Sequence, residues 1–133
     1  MTKPLVAITN DIPDAGIKLL KRKGFRVKIS KKDTPFTKAE LITFVNGADA
    51  ILSLLFDEID GSVVKGAGSQ LKIVANYAVG YNNINVKEVR ARGVRVSNTP
   101  GVLNNSVADM AWALIFAITR RVVEADSFTR KGL

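Results

Sequence analysis

The chain has 133 residues, 47% of them hydrophobic and 24% charged, with a formal net charge of +8. That is one domain's length with enough chain to bury a sizeable core, in the composition of an ordinary soluble globular protein. Cysteine and histidine are both absent, which removes disulfides, thiolate nucleophiles, imidazole acid–base chemistry and the two favoured transition-metal ligands. The start, Met1 to Ile8, does not read as a signal peptide, because an apolar strand comes too early and no cleavage pattern follows. The longest apolar run, Met110 to Thr119, is too short to cross a bilayer. A cytoplasmic protein without a membrane partner is expected.

Strand and helix patterns alternate from the outset. Leu5 to Thr9 reads as a buried strand. Asn10 to Pro13 opens a helix whose Ile12, Gly16, Leu19 and Leu20 face the sheet, and Gly24 ends it. Phe25 to Ile29 alternates as a second strand. Thr37 to Glu40 is a capping box, with Phe36 and Leu41 at the hydrophobic-staple positions. The helix it starts turns Leu41, Ile42 and Val45 inward. Asp49 to Leu54 is the third strand, Gly61 to Gly66 a short helical turn, and Leu71 to Ala75 the fourth strand. Asn85 to Glu88 caps another helix, which ends at Gly93, and Val94 to Ser97 is the fifth strand. This alternation predicts a flavodoxin-like α/β fold, a parallel five-stranded sheet of order 2-1-3-4-5 with flanking helices.

The character changes after Asn98 to Gly101. Ser106 to Asp109 reads as another capped start, and one long helix is expected to run to about Lys131, roughly 36 Å at 1.5 Å per residue. Its first half is apolar nearly all round, so a second chain or a further domain is expected to cover it. The boundary falls at residues 1–101 for the sheet layer and 102–133 for the helix.

Lys18, Lys21, Arg22, Lys23, Arg26, Lys28, Lys31 and Lys32 form a basic stretch without an intervening acid. It carries one aromatic, Phe25, and no nucleic-acid motif, so a solvated helix face and strand edge is the favoured reading and nucleic acid is not an expected partner.

In an open parallel sheet, ligands bind beyond the carboxyl ends of the strands. Ser53 to Phe56, Asn76 to Asn85 and Asn98 to Gly101 converge there. Gly80 permits close backbone approach, and the N–H groups of Val79 and Gly80 suit a carboxylate or phosphate. A glycine in such a loop is also commonly just a turn. Gly66 to Leu71 precedes a strand and lacks the third glycine of a dinucleotide fingerprint. A phospho-receiver site is disfavoured, since no lysine follows strand five. Ser53, Ser97 and Ser106 lack a base partner, and Ser106 reads as a helix cap. Asp57, Glu58 and Asp60 read as acids favouring a helix N-terminus rather than as a catalytic cluster. No catalytic residue and no metal site is assigned.

The segments Asn76 to Ile84, Arg92 to Leu103, Ser106 to Trp112 and Arg120 to Asp126 resemble, in order and spacing, the D-isomer-specific 2-hydroxyacid dehydrogenases, especially their glyoxylate and hydroxypyruvate reductase branch. The resemblance implies a substrate-binding domain in which Leu54 and Leu55 line the pocket and the amides of Val79 and Gly80 hold the substrate carboxylate. It implies a small 2-oxo or 2-hydroxy acid as ligand, NAD or NADP for the full-length family, and a homo-oligomer formed through the helix from Ser106 to Phe128. The family's Rossmann fingerprint and its catalytic Arg, Glu and His have no counterpart in these residues. No coenzyme is therefore expected on this chain, and no turnover by it alone. Phe56 stands where many relatives have a small polar residue, Asn85 replaces the usual Asp, and Val107 replaces a hydroxyl residue of the reductase branch. The competing expectation is a non-enzymatic module that binds small carboxylates or docks through its long helix.

Overall fold

The computed structural model describes residues 3–133. Residues 1 and 2, part of the segment judged not to be a signal peptide, lie outside it. The chain divides into two units, one ending at Pro100 and one beginning at Gly101.

In the first unit the elements run β1 (Leu5–Ile8), α1 (Asp14–Arg22), β2 (Arg26–Ile29), α2 (Lys38–Val45), β3 (Ala50–Ser53), α3 (Gly61–Ala67), β4 (Ile73–Asn76), α4 (Val86–Ala91) and β5 (Arg95–Ser97). The strands form one sheet of order β2-β1-β3-β4-β5, parallel throughout. The expected flavodoxin-like layer is what forms. Short β-branched runs suit strands buried on both faces, and parallel pairing follows because each connection returns through a helix.

Side-chain alternation sorts the core into two layers. Ala7, Ile51 and Val74 lie in register across β1, β3 and β4, and they pack with Leu41 and Val45 of α2, Val63 and Val64 of α3, and Val89 of α4. Val6 and Ile8 face the other way, toward Ile17 of α1. Ile51 and Val74 are fully buried, each worth about 1.5–3 kcal/mol of transfer free energy. Ile17, not Leu19, carries the inward face of α1; Leu19 is 49% exposed. At 100° per residue Leu19 falls well off the stripe defined by Ile17 and Leu20.

The helix ends follow local chemistry. Gly24 and Gly93 both follow helix ends with φ of +85° and +74°, a left-handed position that glycine adopts without Cβ strain. Asp60 caps α3, accepting from the N–H groups of Ser62 and Val63. Thr37 and Glu40 close the capping box on α2.

The second unit departs from expectation. The helix does not run unbroken to Lys131: α5 (Asn104–Thr119) stops, and α6 (Val122–Arg130) begins after Arg121. Arg121 sits in the left-handed region at φ 50° and pairs with Glu124. Such a conformation costs a non-glycine residue roughly 1–2 kcal/mol. Neither glycine nor proline marks the break. Ser106 is not a cap, because α5 begins at Asn104 with no side-chain cap. Trp112 and Phe116 stack at 5.6 Å between ring centroids, and both remain more than half exposed.

Glu40 accepts hydrogen bonds from Lys32 Nζ, the Thr37 N–H and the Thr37 hydroxyl. Lys32 first, then Thr37, lowers its pKa from 4.5 to about 2. A carboxyl with a depressed folded pKa stabilises above its unfolded value and loses that contribution as pH falls through the folded one. Urea unfolding across a pH series should therefore show Glu40→Gln less stable than the parent at neutral pH, with the gap closing between pH 4.5 and about 2.

Candidate functional site

Polar residues that are deeply buried stand at the carboxyl end of three adjacent strands: Thr9, Ser53 and Asn76. Each needs a partner there, since an unpaired buried polar group costs about 1–3 kcal/mol. The Thr9 hydroxyl lies 2.5 Å from Asp57 Oδ2, and the Leu54 N–H donates to the same oxygen at 2.8 Å. Asp57 is 2% exposed, and its Oδ1 has no hydrogen-bond partner among the described residues. Asp57 thus folds the segment after β3 back onto the end of β1. It is not a helix-terminus acid, as its place beside Glu58 and Asp60 suggests.

Two asparagine side chains join that segment to the one after β4. Ser53 Oγ donates to Asn76 Oδ1 at 3.0 Å. Asn76 Nδ2 donates to the Gly80 carbonyl at 2.9 Å and to Asn83 Oδ1 at 3.0 Å. Asn83 Nδ2 donates to the carbonyls of Leu54 and Asp57, both at 3.0 Å. From the β5 side, Asn98 Nδ2 donates to the Val79 carbonyl at 2.7 Å and the Thr99 N–H to the Ala78 carbonyl at 2.9 Å.

The carbonyls of Ala78, Val79 and Gly80 are therefore all held by donors. Among the described residues, no acceptor takes the N–H of Val79 or Gly80. Backbone donors left without an acceptor in a loop pinned through its carbonyls are suited to an anion. Gly80 does not need to be glycine for the protein's own sake. Its φ is not positive, and a Cβ there would sit an ordinary 3.6 Å from Asn82 Oδ1.

The expected pocket residues separate. Leu54 and Gly80 are joined through the Asn76–Asn83 pair, and Val79 is held from the β5 side by Asn98. Leu55 is 66% exposed and lines a neighbouring hollow with Lys38, Phe56, Asp60, Asn82 and Asn83. Asp60 belongs to α3 and Lys38. Burial raises its pKa, but the Lys38 ammonium, the Ser62 hydroxyl and the Val63 N–H outweigh that and hold the carboxyl well below the usual range. Among the described residues no group of three or more acids is placed to hold a metal ion, and no helix is long and apolar enough to cross a membrane. Asp57, Asn83 and Thr9 are the members of this network that the residue pattern does not single out. A buried Asp after a strand and an Asn seven residues beyond Asn76 were the available signals.

The model of the D-isomer specific 2-hydroxyacid dehydrogenase catalytic domain matches residues 6–131. The chain belongs to this family. A glyoxylate reductase of Thermococcus gammatolerans is 47% identical over 130 residues, covering 98% of this chain and 38% of that relative. A crystal structure of a Thermus thermophilus protein superposes with a TM-score of 0.86 at 36% identity, over 97% of this chain and 41% of that one. A 2-hydroxyacid dehydrogenase of Ketogulonicigenium vulgare superposes with a TM-score of 0.79 at 27% identity, over 99% and 41%. This chain spans less than half the length of each.

The residues present do not fit a nicotinamide dinucleotide. Gly66 and Gly68 lie at the end of α3 and lead into β4, the reverse of the strand-to-helix order that a pyrophosphate requires. A Cβ on Gly66 would meet Ile42, and one on Gly68 would meet Gln70, each at 2.5 Å. Packing against Ile42 accounts for Gly66, and a φ of +107° accounts for Gly68.

Asn83→Ala leaves the Leu54 and Asp57 carbonyls without their donor. A loss of about 2 kcal/mol in urea unfolding is expected.

Proposed function

We propose that the chain supplies the substrate-binding portion of a D-2-hydroxyacid dehydrogenase that reduces glyoxylate- or hydroxypyruvate-type 2-oxo acids. Residues up to about 101 form the binding domain, and residues 102–133 form the helical segment that in the family leads toward a coenzyme domain. NAD or NADP and the acid–base residues come from outside these residues, so the chain alone turns nothing over. The observation that carries this reading is that the N–H groups of Val79 and Gly80 have no acceptor among the described residues, in a loop whose carbonyls are all engaged. Two such donors match the oxygens of one carboxylate, and Leu54 stands alongside through Asn83. Leu55, in the neighbouring hollow, belongs to the same reading as an outer contact for the substrate. A cytoplasmic location belongs to the same reading, in keeping with a chain that has no cysteine.

Self-association is its second element. Trp112, Leu114, Ile115, Phe116 and Ile118 of α5 are all 47% exposed or more. A surface of that kind is normally covered. A symmetric pairing of the segment Ser106 to Phe128 would cover it in a second copy.

Titration of the isotopically labelled chain with glyoxylate should shift the Val79 and Gly80 amide resonances first, at millimolar concentrations. Shifts confined to lysine-rich segments would overturn the cradle. NADH or NADPH oxidation proportional to purified chain would overturn the absence of turnover. Sedimentation should give a dimer or larger species, and Phe116→Glu should shift it toward monomer.

A further inference from the structure

We infer that the amino-terminal edge of the sheet, opposite the candidate site, is a docking face for the phosphate backbone of duplex nucleic acid. The basic stretch read from the sequence does not remain together in the fold. Lys18 pairs with Asp14, Lys32 with Glu40, and Lys28 donates to the Phe44 carbonyl. Lys21 and Arg22 occupy the last turn of α1 instead, and Arg26 begins β2.

The topology then adds cations from far along the chain. Backbone hydrogen bonds run along the edge from Arg26 to Pro4, from Asp49 to Leu5, from Lys72 to Asp49 and from Arg95 to Lys72. Lys72 precedes β4, Arg95 begins β5, and Arg90 lies in the last turn of α4. Lys21, Arg22, Arg26, Lys72, Arg90 and Arg95 are all exposed, and none lies within ion-pair distance of a carboxylate among the described residues. Asp49 is the acid in this row, and its Oδ2 accepts the Leu5 N–H at 2.7 Å.

Helix dipoles explain part of this. Lys21, Arg22 and Arg90 complement the negative ends of α1 and α4. Arg26, Lys72 and Arg95 stand at strand starts, where no such cause exists. Five strands at about 4.8 Å spacing make the row about 19 Å long, a span over which duplex DNA presents roughly 11 phosphate charges. A lipid surface would call for apolar residues to insert, and a protein partner for aromatic or apolar anchors. The exposed large apolar side chains near these cations in sequence are Leu19 on α1 and Phe25 beside β2. An edge that offers charge with so little else binds backbone without reading sequence.

The test is fluorescence anisotropy of the full chain with a labelled mixed-sequence duplex. Engagement of about four phosphates predicts an affinity that falls roughly 100-fold between 50 and 200 mM salt. Lys72→Glu with Arg95→Glu should weaken low-salt binding at least about tenfold. Arg22→Glu with Arg26→Glu is the second variant should the first pair fail to fold. Lys31→Glu with Lys87→Glu makes the same change in net charge on the opposite side of the sheet and should leave binding within about twofold. Equal weakening by the control pair, or no binding at low salt, would overturn the inference. So would polyglutamate that competes as well as duplex at matched charge, since it would assign the face to acidic protein.

Discussion

Two side-chain amides hold the loops at the carboxyl end of this sheet together. Asn76 and Asn83 bond to each other, and between them they reach Ser53, the carbonyls of Leu54 and Asp57 on one loop, and the Gly80 carbonyl on the other. An asparagine amide has two donors and a carbonyl acceptor, so it bridges groups that a carboxylate or an ammonium cannot bridge alone. The burial of Asn76 raises what is at stake, because a partly satisfied buried network is worse than none. With the carbonyls so occupied, the N–H groups of Val79 and Gly80 are without an acceptor among the described residues, as the proposed carboxylate cradle requires. The Ala78–Val79 and Val79–Gly80 peptides each have the carbonyl satisfied and the N–H open among the described residues.

The sheet was legible from residue order because each of its signals is local. β-Branched runs bounded by glycine mark the strands, Thr37 and Asn85 mark helix starts, and Gly24 and Gly93 mark the helix-to-strand turns. The alternation of these elements then leaves little choice of topology. The loop that carries Val79 and Gly80 was legible for the same reason, as a glycine-containing segment between a strand and a cap. Asp57 was not, because its partner Thr9 is 48 residues away and its neighbours Glu58 and Asp60 behave differently. Only the pairing of β1 with β3 brings Thr9 to it. Asn83 likewise reads as one polar loop residue among several until the ends of β3 and β4 stand side by side.

The helical unit shows the opposite failure. An apolar run from Met110 to Ile118 followed by charged residues reads as one rod, yet Arg121 adopts a left-handed conformation that nothing nearby in sequence requires. The ion pair with Glu124 accompanies that turn but, exposed as it is, contributes little. The C-terminal neighbours of Thr119 therefore start a second helix with its own exposed face, while the apolar run from Met110 to Ile118 lies wholly within α5.

The separation of charge along the sheet axis bears on how the cradle captures its ligand. Asp57, Glu58 and Asp60 stand at the carboxyl ends of the strands, whereas Arg26, Lys72 and Arg95 stand at the far end. Lys31, Lys38 and Lys87 also stand at the carboxyl ends, so the field around the proposed cradle is of mixed sign, whereas the far end is dominated by cations. Capture there rests on directed contacts of about 3 Å with backbone N–H groups, a range far inside the Debye length. In the proposed cradle, recognition at Val79 and Gly80 would accordingly be a matter of shape and hydrogen-bond direction, and ionic strength should matter far less there than it does at the basic edge.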